Sequence, residues 1–139
     1  MRWMRLTVVM AAVLGLLATP AGAGARSTVA AVAPTVYPRV TASAAPESWN
    51  GSCSPSPTFT FTASITVLFT PETVRYRWIS SDFSTGQVEE VHFTALGPRS
   101  KTVQTTRITG AVGTHWRAVE VISPRRSLSN MASYHVQCT

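Results

Sequence analysis

Little in this chain is suited to chemistry. Only 13% of the 139 residues are charged, and two are cysteine. Lysine occurs once, as Lys101, and aspartate once, as Asp82. The three histidines, His92, His115 and His135, never fall at i,i+2 or i,i+4 spacing. A zinc site needs three or four converging ligands, so no metal and no cofactor are expected. A G-x-S-x-G turn is absent, and Asp82 follows two serines in a run of turn formers, where a side-chain cap is its ordinary role. Glu89 and Glu90 are adjacent and point to opposite faces of a strand, the wrong geometry for a shared acid–base pair. These absences argue against an enzyme. A helical stripe at 3.6 spacing is also missing beyond residue 25, which argues against helix in the rest of the chain.

One apolar run is present, at the N-terminus. Arg2 and Arg5 precede thirteen uncharged residues, 6–18, and two overlapping A-x-A sites follow at Ala21–Ala23 and Ala23–Ala25. This is the pattern of a secretory signal peptide over residues 1–25. Thirteen residues fall short of the roughly 20 that span a bilayer, so no stable membrane span is expected after cleavage. No cysteine follows the run to carry a lipid. A secreted or cell-wall-associated bacterial protein is the expectation. Of twelve basic residues Arg2 and Arg5 leave with the leader, so ten face six acidic ones, a net charge of +4. Only Arg125 and Arg126 are adjacent, which is not the clustered basic footprint of a nucleic-acid binder.

Residues 26–48 hold three prolines and many alanines without either periodicity, and read as a flexible spacer. A first strand near residues 35–40 is the alternative, against which Pro34 and Pro38 count. From Trp49 the pattern changes. Phe59, Phe61, Ala63, Ile65 and Val67 alternate with hydroxyl residues, giving one apolar and one polar face. Val74, Tyr76 and Trp78 alternate next, then Val91 and Phe93, then Val103 and Thr105. The stretch from Trp116 to Ile122 is a fifth strand, and Tyr134, Val136 and Cys138 align on the last. Residues 80–87 form a loop, and Asn50-Gly51 a turn. Short strands at this spacing predict an all-β, antiparallel sandwich of about six or seven strands over residues 49–139. The candidate core is Phe59, Phe61, Ile65, Tyr76, Trp78, Phe93, Val119, Val121, Tyr134 and Val136.

Cys53 precedes the first long strand and Cys138 ends the last. First and last strands of a sandwich can lie side by side, so a Cys53–Cys138 disulfide is expected in an exported chain.

Between those cysteines the sequence resembles the immunoglobulin-like domains of small secreted bacterial proteins. The matching residues are Val74-x-Tyr76-x-Trp78 with Ser81-Asp82, Phe93, Gly97, Gly113-x-x-Trp116, Val119-x-Val121, Ser123-Pro124 and Tyr134-x-Val136-x-Cys138. The resemblance implies an immunoglobulin-like sandwich. It differs from antibody domains in having its cysteines at the ends, although Trp78 stands where their core tryptophan does.

The fifth strand points to a surface. Burying Glu120 unpaired would cost several kcal/mol, so Val119 and Val121 face inward while Trp116 and Glu120 face out. In the immunoglobulin topology that the resemblance implies, this strand pairs antiparallel with the 75–79 strand, which sets Arg75 near Glu120 and Ile79 near Trp116, with Arg77 between. His135 joins them from the last strand. Arg75, Arg77, Ile79, Trp116, Glu120 and His135 are the candidate binding surface, since Trp and Arg are enriched in hot spots. The expected function is a monomeric, non-catalytic binding module for an extracellular protein. A glycan-binding module for cell-wall glycan is the alternative. A small secreted enzyme or protease inhibitor, the latter acting through the 80–87 or 125–130 loop, stands behind it.

Overall fold

A computed structural model describes residues 37–139. The expected signal peptide and residues 26–36 of the expected spacer lie outside the described residues. Nine strands follow in order: β1 Arg39–Ala45, β2 Ser48–Gly51, β3 Thr58–Thr66, β4 Glu72–Ser80, β5 Glu89–Phe93, β6 Ser100–Ile108, β7 Gly113–Ser123, β8 Ser127–Leu128 and β9 Ala132–Cys138. The described residues contain no helix, so the all-β expectation stands, with more strands than the six or seven foreseen.

The strands form two sheets. One has the order β1-β3-β6; the other has the order β2-β9-β7-β4-β5, with β8 against β7. All pairings are antiparallel except β2 with β9, so the larger sheet is mixed. The alternation in β3 has a direct structural result. Phe59, Phe61, Ala63 and Ile65 are fully buried, while the threonines and serine between them stay partly exposed. Opposite them, Val74, Tyr76 and Trp78 from β4, Val119 and Val121 from β7 and Tyr134 and Val136 from β9 close the core. The two sheets meet through aromatic rings: Phe59 and Phe61 lie 4.5 and 5.3 Å from Tyr134, and Phe61 lies 6.4 Å from Trp78. All ten candidate core residues are buried.

Cys53 and Cys138 are bonded across 85 positions of sequence, with their Cα atoms 5.4 Å apart. The bond is placed by the parallel register of Gly51 with Cys138, which brings the chain leaving β2 alongside the end of β9.

The expected wholly antiparallel pairing is broken by β2 with β9, and three further expectations fail. Residues 39–48 are not spacer, because β1 and the start of β2 occupy them. Pro38 and Pro46 bracket β1 instead of excluding it; a proline at a strand's border removes no ladder donor from its middle. The inward side chains of β1 are Val40, Ala42 and Ala44, small enough to leave a weak periodic signal. Asn50-Gly51 is not a turn but part of β2, where Asn50 pairs with Gln137. The third difference is register: β4 and β7 align Arg77 with Glu120 and Ile79 with Ala118, two residues away from the expected pairing.

Candidate functional site

The outer face of the larger sheet carries a ladder of cross-strand pairs. Thr73 faces His92, Arg75 faces Glu90, Arg77 faces Glu120, Trp116 faces Ser133 and Thr114 faces His135. The parity expected for β7 holds: Val119 and Val121 are fully buried, and Trp116 and Glu120 are half-buried on the other face. The expected Arg75–Glu120 neighbours are separated. Arg75 lies 3.4 Å from Glu90, while Arg77 Nε donates to Glu120 Oε2 at 2.7 Å. An irregularity between Arg75 and Tyr76 sets Arg75 against Ser123, so the register of this corner is not what simple alternation gives.

The six candidate surface residues fall in three places. Arg77, Ile79 and Glu120 come together at one depression. Trp116 and His135 lie off it towards β9, and Arg75 is engaged with β5. His135 Nδ1 and Thr114 Oγ1 are 3.0 Å apart.

The depression is a groove of about 450 Å³. Its floor is Ile79, Arg77 and Glu120. One wall is the turn after β4, with Phe83 and Thr85. The other is the β7–β8 corner, with Arg126, Ser127 and Leu128. The sequence marks both wall segments only as candidate inhibitory loops, 80–87 and 125–130, and does not bring them together beside Arg77. Leu128 sits in a two-residue strand, too short for any periodicity. Phe83 had a readable signal: it is a lone large apolar residue in the polar run 80–86.

The Phe83 wall is rigidly built. Asp82 Oδ1 accepts from the Ser84 amide at 3.0 Å and from the Ser84 hydroxyl at 2.6 Å. These bonds from Ser84 hold the Asp82 carboxyl below the usual carboxylate range. Phe83 N donates to Ser80 O, Ser80 N to Ser84 O, Ser81 N to Trp116 O and Gly86 N to Trp78 O. Within this network Phe83 adopts φ 60° and the residue stays 85% exposed. For a bulky residue the left-handed region is an outlier, and strain of this kind collects at ligand clamps.

The opposite wall is equally fixed. Ser127 Oγ donates to Pro38 O at 2.8 Å, and Ser129 Oγ accepts from Val119 N at 2.9 Å. Asn130 pairs with β1 through both ends of its amide, accepting from Ala42 N and donating to Ala42 O, each at 2.8 Å.

Behind the Phe83 turn, on the inner side, Arg117 occupies a position where alternation predicts an apolar residue. Its guanidinium lies over Phe61 and Trp78, at 5.5 and 6.0 Å from the ring centres, and Nε donates to Ser80 Oγ at 3.1 Å. Burial, and then the neighbouring Arg107 charge, lower its pKa. Arg107 in turn reaches Asp82 at 3.7 Å. The turn is thus tied to both sheets. Glu89 and Glu90 do diverge: Glu89 accepts from the Tyr76 hydroxyl at 2.7 Å, and Glu90 turns to Arg75.

Among the described residues no helix is long and apolar enough to cross a membrane. The disulfide is consistent with an oxidising compartment outside the cytoplasm.

No family model and no curated protein matches the chain. Among solved structures it is similar to a crystal structure of beta-glucosidase from Listeria innocua in complex with glucose, at 11% identity and a TM-score of 0.45. The alignment covers 88% of this chain and 21% of that one, so the chain spans about a fifth of its length. A likeness this distant says nothing of activity.

Proposed function

We propose that the protein is a secreted or cell-envelope, immunoglobulin-like binding module without catalytic activity, and that it engages a partner through the groove between Phe83 and Leu128. Two sheets of orders β1-β3-β6 and β2-β9-β7-β4-β5 support the immunoglobulin-like reading. The first strands divide between the sheets, and β4, β7 and β9 form the centre of the larger one, as in that architecture. The leader pattern and the disulfide support export.

One observation carries the binding reading: an almost fully exposed phenylalanine held in a strained backbone conformation by a hydrogen-bonded turn, at the rim of a groove. Folding alone gains little from such a residue. A partner that buries the ring gains its apolar area with the ordering cost already met by the turn.

The test is capture from culture medium by the immobilised mature domain. Phe83→Ala should lose the captured protein, and Leu96→Ala, which alters a fully exposed leucine in another loop, should keep it. Equal capture by both variants would remove the groove from consideration. Capture of polysaccharide in place of protein would favour the glycan alternative.

A further inference from the structure

The charges of the groove do not balance, and two of its three lining hydroxyls are engaged. Glu120 Oε2 is held by Arg77 Nε at 2.7 Å. Its second oxygen is 4.0 Å from Arg126 Nη2, too far for a hydrogen bond. Two guanidiniums therefore face one carboxylate. Arg126 makes no side-chain hydrogen bond among the described residues, and its side chain is 77% exposed. Ser80 Oγ accepts from Arg117, and Ser127 Oγ donates to Pro38 O. Of the hydroxyls lining the groove only that of Thr85 is unengaged among the described residues. A sugar ring needs donors and acceptors together, and the free polar groups of this lining are chiefly guanidinium donors. What it offers is an apolar slot between Ile79, Phe83 and Leu128, with a spare cation at one end.

Resting on the reading of this groove as the binding surface, we propose that its partner is a protein segment carrying an acidic side chain next to an apolar one. The apolar group enters between Phe83 and Leu128. The carboxylate meets Arg126, whose planar fork suits a carboxylate and needs no rearrangement of the Arg77–Glu120 pair. Such a contact at an exposed rim is screened by salt.

The experiment follows backbone amide shifts of the mature, disulfide-bonded domain by NMR. The probes are three blocked tetrapeptides that carry leucine beside glutamate, glutamine or lysine. Chitin oligosaccharide is a fourth probe. The glutamate peptide should shift the amides of Ile79, Phe83, Thr85 and Leu128, and bind about tenfold more tightly than the lysine peptide. That preference should shrink with added salt and vanish in Arg126→Ala, while Phe83→Ala should weaken all three peptides. If the three peptides bind the groove alike, the acidic partner is wrong and the groove reading survives. Peptide shifts outside the groove, or none, overturn the proposal, as does a groove response to the oligosaccharide alone. Concentration-dependent shifts at these amides without any probe would make a second copy of the chain the occupant and also overturn it.

Discussion

Arg77 and Glu120 face each other across β4 and β7, and the 2.7 Å bond between them crosses the floor of the groove. Both side chains keep a quarter or so of their surface in water, at 32% and 22% exposure. The pair is therefore expected to hold the shape of the floor more than to stabilise the fold. A double-mutant cycle with Arg77→Met and Glu120→Gln should give a coupling of no more than about 1 kcal/mol in chemical denaturation. A value of several kcal/mol would mean that the floor is a structural keystone.

Phe83 separates stability from function. Phe83→Gly removes the left-handed strain, a cost of about 1–2 kcal/mol, and adds back up to about 1 kcal/mol of unfolded-chain entropy. With an exposed ring, little burial is lost. The variant should melt at the wild-type temperature or slightly above it, yet fail to capture a partner. A large fall in melting temperature would show that the ring serves the fold.

Removing the disulfide should be costly. With 85 positions closed by the bond, the chain-entropy model gives about 4.5 kcal/mol. Cys53→Ser with Cys138→Ser should lower the denaturation midpoint by a corresponding amount and leave the far-ultraviolet spectrum of the surviving folded fraction all-β.

Phe61, on the smaller sheet, packs against Trp78 and Tyr134 of the larger one and sits under Arg117. Phe61→Ala should cost about 3–5 kcal/mol. It should also loosen the Phe83 turn, because Arg117 loses its apolar bed while holding Ser80. Faster amide exchange at Ser84 than in a core variant distant from Arg117, such as Val74→Ala, would report this.

Alkali should unfold the domain. Burial, joined at Tyr76 by the bond to Glu89, raises the pKa of Tyr76, and burial raises that of Tyr134. A raised folded pKa means that the folded state favours the protonated phenol. That stability is fully present below the ordinary tyrosine value of about 10, and is lost as pH rises towards the folded values. Denaturation midpoints should therefore fall above about pH 10. Tyr76→Phe should flatten part of that slope. An unchanged slope would remove Tyr76 from the account.

How legible all this is in the sequence depends on what each residue has to say locally. The face of every long strand follows from alternation, which is why Phe59 to Ile65 and Val119 and Val121 land where their pattern puts them. Register does not follow, because a slip of two residues keeps every side chain on its face. Glu120 therefore faces outward as expected but pairs with Arg77, not Arg75. β1 was hidden by its small inward residues and bordering prolines. Arg117 breaks the pattern because an aromatic bed and two hydroxyls at the end of the core receive it. The groove needs two walls from segments more than 40 positions apart, and no local pattern joins Phe83 to Leu128.

The most direct measurement places a photo-cross-linking phenylalanine analogue at position 83, and separately at position 96, and irradiates the secreting culture. Position 83 should give a covalent adduct with a single protein species, and position 96 none. Adducts from both positions, or from 96 alone, would contradict a partner seated between Phe83 and Leu128.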